Sequence, residues 1–322
     1  MKHYALLSLA LILPMMAVTS CNDREQKSDM PELAIDSVLQ DSVSMYLSEK
    51  MNDINAYYGL AAVMELESGK IIAMEEAHRN DTLGNTCHDN LAYADTKRLS
   101  SLSTIMCCLD RGMPLEETFD VSGAELPFAG DTIYDHNWDR GGYGVLSVAD
   151  VFAQSSDCGI AKMVNKYYAG DFQTYRNDMA AKGYHISEDA TDADFIRGYG
   201  LKMDAIELLS LYSEMSKDSV ARNLLAFNLS NGLGKKAQSD NGDVAGKETS
   251  VLLEDENHVL PCINGEHDKD RFQVAFCGFF PSDEPRYAAI VLMRKQGRPA
   301  SGGGMAGPVF AKIANLLESQ AR

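Results

Sequence analysis

Hydrophobic residues recur along this chain with two periods, and the period depends on position. From 33 to 54 the apolar residues largely follow the 3.6-residue helical period, which predicts an opening helix. Two apolar runs, 59–66 and 71–74, then flank a turn that contains glycine, which predicts a β-hairpin. Strand-like runs return only near the C-terminus, at 274–280 and 287–293. Strands are therefore expected at both ends of the folded region.

The middle of the chain has helical periodicity instead. Apolar side chains at helical spacing predict helices over 99–109, 148–154, 160–168 and 204–215. A last helix is predicted over 308–317, after a flexible turn at Gly302-Gly-Gly304. This order indicates the α+β class. We expect an antiparallel sheet built from the N- and C-terminal strands and flanked by helices, with a helical lobe inserted at about 90–240.

The first residues predict export. A basic start precedes an apolar run over 5–18, which is shorter than the roughly 20 residues that cross a bilayer as a helix. We interpret 1–20 as a signal peptide. The run ends in Val18-Thr-Ser-Cys21, which resembles a bacterial lipobox and implies a lipid on Cys21; cleavage before an unmodified cysteine is the alternative. We predict a polar tether over 21–31, a domain over 32–322, and a lipid anchor that holds the exported protein in the cell envelope, facing the periplasm.

Charge and cysteine spacing exclude several classes of function. The formal net charge is −18, so the chain offers no basic stripe for nucleic acid, and we attribute the charge to solubility. No C-x-x-C pair and no Cys/His cluster at zinc spacing occurs in the sequence, so neither a metal nor another cofactor is expected.

The cysteines after Cys21 fall into two groups. Those in apolar-patterned segments are predicted to be small core residues: Cys107, Cys108, Cys158 and Cys277. Cys87 and Cys262 lie in polar segments, and an oxidising compartment would allow a disulfide between them.

Several segments resemble, in order, those of penicillin-binding transpeptidase domains. They are the hairpin 63–74, the second-motif segment 154–162, the stretch 198–200, the third-motif segment 244–250, and the C-terminal segments 276–292 and 304–310. The resemblance runs from about residue 58 to 318. It implies the fold of the serine β-lactamase and transpeptidase superfamily, which uses a nucleophilic serine at a helix N-terminus and a lysine base three residues later.

That first motif, Ser-x-x-Lys, has no counterpart here. Counting back from 109–112 places the expected serine on Arg98 and the expected lysine on Ser101. Counting forward from Tyr93 places Lys97 and Ser100 there instead. No lysine in the chain has a serine three residues before it. We therefore interpret Ser100 and Ser101 as polar residues at a helix start.

The other two motifs are altered as well. Ser155-Ser156-Asp157 replaces Ser-x-Asn, and Lys247-Glu248-Thr249-Ser250 replaces Lys-Thr-Gly-Thr or -Ser. We expect Asp157 to pair with Lys247, and the side chain of Thr249 to occupy space that the substrate would need. No catalytic residue set is intact; the degenerate equivalents are Ser101, Ser155, Asp157 and Lys247.

Three hypotheses follow. The first is a non-catalytic envelope lipoprotein that binds peptidoglycan, a peptide or a partner protein through a penicillin-binding-like domain. The second is an active serine acyltransferase, a D,D-transpeptidase or carboxypeptidase, with a non-standard site. The third is a structural assembly protein whose cleft binds nothing. The altered motifs favour the first or the third hypothesis, although a fold alone does not choose between them.

Overall fold

The computed structural model describes residues 30–79, 94–240, 243–253 and 270–320. The strands are β1 (Ala56–Glu65), β2 (Lys70–His78), β3 (Ala94–Asp95), β4 (Thr118–Asp120), β5 (Glu125–Phe128), β6 (Asp131–Tyr134), β7 (Val145–Ser147), β8 (His185–Ile186), β9 (Leu201–Met203), β10 (Ala245–Leu253), β11 (Arg271–Phe280) and β12 (Tyr287–Gln296). The helices are α1 (Ser37–Asp53), α2 (Ser101–Asp110), α3 (Val148–Gln154), α4 (Asp157–Tyr167), α5 (Phe172–Ala181), α6 (Asp192–Ile196), α7 (Ala205–Met215), α8 (Ser219–Asn231) and α9 (Gly302–Gln320). Short 3₁₀ turns cover Lys97–Ser100, Trp138–Arg140 and Leu233–Ala237.

The central element is a five-stranded antiparallel sheet in the order β10-β11-β12-β1-β2. Its strands come from both ends of the chain, and helices α2–α8 lie in sequence between β2 and β10. The predicted α+β class, with an inserted helical lobe, is confirmed, and so is the predicted hairpin. The bounds of the domain and of the lobe stay predictions.

Both faces of this sheet are buried. Along β1, Leu60 and Ala62 belong to the apolar cluster shared with the lobe, whereas Ala61 and Val63 belong to the cluster shared with α1 and α9. Successive side chains of a strand point to opposite faces, so a strand covered on both sides is apolar throughout. This is why the segment reads as a continuous hydrophobic run.

The opening helix begins later than its apolar pattern predicts. Ala34 N–H donates to the carbonyl of Ile71 at 2.9 Å, and Asp36 N–H donates to that of Ile72 at 2.8 Å. The Asp36 carboxylate then accepts from the backbone of Val38 and Leu39, which caps α1. Residues before the cap are therefore extended against β2, because pairing there satisfies their backbone groups.

The turn predicted at Gly302-Gly-Gly304 is wrong, because these glycines form the first turn of α9. A Cβ at Gly302 would overlap the carbonyl oxygens of Thr249 and Ala275. Glycine at this position lets the start of α9 lie directly on the backbone of β10 and β11.

The prediction for the apolar cysteines is confirmed: Cys107, Cys108, Cys158 and Cys277 are buried and have free thiols. Cys21, and Cys87 with Cys262, lie outside the described residues. Within the described ranges, no helix is long and apolar enough to cross a membrane.

Candidate active site

The ammonium of Lys247, on the edge strand β10, is fully buried at 0 % exposure. It donates to the Phe152 carbonyl at 2.7 Å, to Ser155 Oγ at 2.9 Å and to Asn228 Oδ1 at 3.3 Å. It also lies 4.5 Å from the centre of the Phe152 ring. An ammonium has three protons to donate. All three have acceptors here, so this lysine is held in place by the end of α3 and by α8.

The turn between α3 and α4 positions Ser155. Helix α3 ends at Gln154, and Ser155, which follows it as the C-cap, has a left-handed backbone with φ of 54°. Ser156 then caps α4 by accepting from Gly159 N–H at 2.9 Å. A Cβ at Gly159 would lie 2.6 Å from the methyl groups of Val151, so only glycine lets the two helices turn this closely. The turn directs the hydroxyl of Ser155 towards β10.

Glu248 forms the ion pair of Lys247. Its Oε1 lies 3.4 Å from Lys247 Nζ, and its Oε2 accepts from Asn228 Nδ2 at 2.9 Å. Asn228 Nδ2 also donates to the Gly246 carbonyl at 2.8 Å, so its amide joins both charged side chains to the backbone of β10. Burial lowers the pKa of Lys247 to about 8, because the Glu248 carboxylate offsets only part of the cost of desolvating the ammonium.

The predicted pair between Asp157 and Lys247 is wrong. The two charged groups lie more than 4.0 Å apart, and the Lys247 ammonium is already saturated by its acceptors on α3 and α8. Asp157 is the first residue of α4 and faces other charges. Burial raises the pKa of its carboxyl, and Arg98 and then Lys97 are the largest influences in the opposite direction. The acidic partner of Lys247 is therefore Glu248, and not the Asp157 that the sequence predicts.

Thr249 is 2 % exposed, and within the part of the chain that the structure describes its hydroxyl has no hydrogen-bond partner. It lies on the same face of β10 as Lys247, two residues away. That its side chain occupies space a substrate would need stays a prediction.

The start of α2 carries the serines nearest the expected nucleophile. Ser100 Oγ donates to the Lys97 carbonyl at 2.6 Å, and Ser101 Oγ donates to the Arg98 carbonyl at 2.6 Å. The Lys97 ammonium lies 4.9 Å from the centre of the Tyr199 ring. No described lysine donates to either hydroxyl, so neither serine has an amine placed to take its proton.

A buried carboxylate organises the loop beside this site. Asp135 accepts from Ser156 Oγ at 2.8 Å and from Cys158 N–H at 3.0 Å, so it holds the start of α4. The next residue, His136, shares a 2.5 Å hydrogen bond between its Nδ1 and the Tyr143 hydroxyl. Burial and the nearby Arg98 lower the pKa of His136. The side chains of Asp135 and His136 are therefore engaged in hydrogen bonds that hold this loop and the start of α4.

Sequence reasoning missed Asn228 and Glu248 as partners of the lysine. Asn228 lies in the last turn of α8, and no motif marks it. The sequence shows that Glu248 replaces the threonine of the third motif. It does not show that the carboxylate of Glu248 accepts a hydrogen bond from Asn228, twenty residues away. One feature of the sequence does indicate the Lys247–Glu248 pair, because a buried strand rarely carries adjacent Lys and Glu residues unless they are paired.

No family model matches the chain. Peptidoglycan D,D-transpeptidase FtsI of Buchnera aphidicola subsp. Schizaphis graminum (strain Sg) is 21% identical over 337 residues, covering 88% of this chain and 57% of the relative. Penicillin-binding protein PbpB of Mycolicibacterium smegmatis (strain ATCC 700084 / mc(2)155) is 27% identical over 134 residues, covering 41% of this chain and 19% of the relative. This chain therefore spans little more than half of the first relative.

Solved structures agree with these relatives. The apo TP domain of penicillin-binding protein 3 from Burkholderia pseudomallei superposes with a TM-score of 0.71 at 18% identity, covering 90% of this chain and 96% of that one. The chain has the fold of a penicillin-binding transpeptidase domain. A peptidoglycan glycosyltransferase structure from Burkholderia ambifaria superposes with a TM-score of 0.70 at 18% identity, covering 90% and 97%. The predicted resemblance to this superfamily is confirmed.

In the parts of the chain described above, no cluster of three or more His, Cys, Asp or Glu side chains is placed to hold an ion.

Proposed function

We propose that this protein is a cell-envelope lipoprotein whose penicillin-binding transpeptidase-like domain has no acyl-transfer activity and binds peptidoglycan or an envelope protein. One observation carries the inactivity: the hydroxyls of Ser100 and Ser101 are bonded to main-chain carbonyls, and no lysine among the described residues is bonded to either of them. Losing a positioned base costs about 10²–10⁴ in rate. A serine hydroxyl without a base is a weak nucleophile.

The ligand class follows from the relatives. One bears the name peptidoglycan D,D-transpeptidase and the other the name penicillin-binding protein. A domain with their fold that lacks the acylating groups can still bind their class of ligand, because binding requires neither a nucleophile nor a base. The proposed envelope location is supported by the predicted signal peptide over 1–20, by the predicted lipid on Cys21, and by the name of the first relative, a peptidoglycan D,D-transpeptidase.

One observation favours the second hypothesis, an active serine acyltransferase with a non-standard site. Ser155 Oγ lies 2.9 Å from Lys247 Nζ, and the pKa of that lysine is lowered to about 8. With such a pKa, about a tenth of the lysine would be neutral at pH 7 and able to accept a proton. Against this reading, the ammonium is bonded to two further acceptors, which favour its charged form.

Labelling with a fluorescent penicillin separates these hypotheses. Purified protein is incubated with low micromolar probe and resolved by denaturing electrophoresis, with Ser155→Ala, Ser100→Ala and Ser101→Ala in parallel. We expect no covalent adduct with any of the four proteins. An adduct that disappears only in Ser155→Ala would establish the Ser155–Lys247 pair as a catalytic site and overturn the proposed inactivity.

Binding is tested separately by co-sedimentation of the full mature chain with purified peptidoglycan sacculi. Saturable sedimentation supports the binding role. If neither sacculi nor an envelope protein is retained, the structural assembly hypothesis replaces it. Lipidation is tested by labelling cells with an alkyne fatty acid, with Cys21→Ser as the control that should lose the label.

A further inference from the structure

Helix α1 carries apolar side chains on two opposite faces. Its inner face packs in the apolar cluster shared with the sheet and α9, through Leu39, Val43, Leu47 and Met51. Val38 and Met45, seven residues apart, point away from that face and are 64 % and 50 % exposed. A helix on the surface of a globular protein normally has charged or polar residues on its outer face. The fold therefore gives no use to the outer apolar residues of α1.

The extended segment before α1 adds two exposed apolar side chains. Leu33 and Ile35 are 52 % and 46 % exposed, and being two residues apart they lie on the same side of the segment. An apolar residue directly before a helix cap often packs against an apolar fourth residue of the helix. Here the fourth residue is Gln40, whose side-chain amide bonds instead to the backbone N–H and carbonyl of Met74 in β2. Ile35 lacks that partner and is left exposed.

These four side chains lie close together in the chain. We name Leu33, Ile35, Val38 and Met45 the N-terminal patch. Within the residues that the structure describes, no other stretch of thirteen residues carries four exposed large apolar side chains. Single exposed apolar residues are ordinary, whereas a group of them marks a surface that contacts a partner or a membrane.

Polar groups beside the N-terminal patch already have partners within the protein. The hydroxyl of Ser42 donates to the carbonyl one helical turn earlier at 3.0 Å. Glu32 pairs with Lys70 at 2.8 Å, and the Asp36 carboxylate accepts from two N–H groups in the first turn of α1. Covering the patch with an apolar medium would therefore leave few polar groups unpaired.

The place of the N-terminal patch in the chain identifies the surface that it meets. Nine residues, 22–30, separate Cys21 from Pro31. Ten residues fully extended span at most about 36 Å. With the lipid on Cys21, as proposed above, Pro31 lies no further than this from the bilayer. The patch begins two residues later, at Leu33, so it stays beside the membrane.

We propose that the N-terminal patch docks on the bilayer that holds the lipid anchor, with its four side chains in the headgroup region. This inference rests on the lipidation of Cys21 proposed above. Because the anchor keeps the lipid surface close, weak contacts suffice for docking. The net charge of −18 and the exposed Asp41 on α1 oppose anionic lipid, so the surface is one of zwitterionic headgroups. Docking turns the α1–α9 side of the sheet towards the membrane and the lobe away from it.

Photo-crosslinking in vesicles tests the docking. The substitution Val38→p-benzoylphenylalanine is compared with the same substitution at Val145, a valine that is also 64 % exposed but lies in β7 of the lobe. Each lipidated protein is reconstituted in vesicles of phosphatidylethanolamine and phosphatidylcholine, irradiated and analysed by mass spectrometry. We expect the yield of lipid adduct at position 38 to exceed that at position 145 by about tenfold. Equal yields refute docking. A protein–protein adduct as the main product at position 38 also refutes it, because a second copy then covers the patch.

Flotation measures the contribution of the patch without the anchor. The mature chain from residue 22, made without leader or lipid, is floated with the same vesicles. Val38→Asp/Met45→Gln should lower the floated fraction about tenfold, because two of the four apolar side chains become polar. Val145→Asp should not change it. Replacing about a third of the lipid by phosphatidylglycerol should lower flotation of wild type. If wild type floats no better than the double variant, the docking is wrong.

Further measurements separate this inference from loss of fold and from the proposed function. An aspartate in the first turn of a helix is favourable, so thermal unfolding should find the double variant folded. If Cys21 takes the alkyne label but the two crosslinking positions give equal yields, only the docking is refuted. If wild type takes no label, the lipoprotein role fails, and flotation still decides whether the patch binds lipid. Sacculi should retain wild type and the double variant equally. A double variant that floats normally but loses the sacculi would assign the patch to peptidoglycan and refute docking.

Discussion

Two regions of the central sheet, its α1–α9 face and its β10 edge, bury different kinds of residue. The side covered by α1 and α9 is apolar throughout its centre, with Phe276, Phe280 and Phe310 packed ring against ring at 4.7–5.6 Å. The edge at β10, where the lobe meets the sheet, buries Lys247 and Glu248 instead. Both regions are equally shielded from water.

This difference separates the residues that maintain the fold from the residues of the candidate site. Apolar packing contributes in proportion to area and needs no particular chemistry, so the α1–α9 side can hold the sheet together whatever happens at the cleft. A buried ion pair contributes little net stability but costs a great deal when half of it is removed. Changes at β10 are therefore tolerated only when they come in matched sets, as Lys247, Glu248 and Asn228 do.

Breaking that matched set should give the largest effect. Lys247→Met leaves the Glu248 carboxylate, 4 % exposed, without its counter-charge, and we expect the free energy of unfolding to fall by about 3–5 kcal/mol. Urea denaturation followed by circular dichroism measures it. The double variant Lys247→Met/Glu248→Leu should recover most of the loss. If Lys247→Met is as stable as wild type, the Lys247–Glu248 ion pair is not formed in solution.

The apolar side should respond only to lost volume. Leu47→Ala, at a fully buried position of α1, should cost about 2–5 kcal/mol, because it removes apolar contacts and leaves a cavity. Met45→Ala on the same helix, at 50 % exposure, should change stability by no more than about 0.5 kcal/mol. Equal losses at the two positions would mean that α1 does not pack as described.

The glycines at the start of α9 test how closely this helix lies on β10. Gly302→Ala should destabilise by about 1–3 kcal/mol, since a Cβ there meets the backbone of Thr249 and Ala275. Gly304→Ala should be neutral or stabilise by up to about 1 kcal/mol, because its nearest neighbour is the end of the Ser301 side chain at 3.1 Å. The opposite ranking would indicate that α9 begins elsewhere.

The smallest effect is a dependence of stability on pH. The pKa of Lys247 is about 8 in the folded protein and 10.5 without burial, so between these values the unfolded chain binds more protons. Stability should therefore rise with pH in this window, by about 1–2 kcal/mol between pH 8 and pH 9.5. Buried thiols and phenols titrate nearby, so the quantity to measure is the difference between wild type and Lys247→Met. A difference that is constant with pH would contradict the lowered pKa.

Prediction from sequence succeeded where a pattern repeats over many residues. The hairpin, the C-terminal strands and four helices of the lobe, α2, α3, α4 and α7, follow from periodicity, which reports burial directly. The helices α5, α6 and α8 were not predicted. It failed at the first residues of elements. Ala34 lies in a segment whose apolar pattern predicts a helix, but its backbone and that of Asp36 bond to β2. Gly302 lies in a glycine run that predicts a turn, but it begins helix α9. In each case a neighbour distant in sequence decided the conformation.

The sequence by itself determined that no serine is followed by a lysine one helical turn later, because this relation is local and a helix places such residues on one face. Only the tertiary structure decided that Lys247 pairs with Glu248, while the side chains of Asp157 and Arg98 have no hydrogen bond or ion pair with any described residue. Electrostatic partners are chosen by distances of a few ångströms between segments far apart in the chain, and such distances have no periodicity in the sequence.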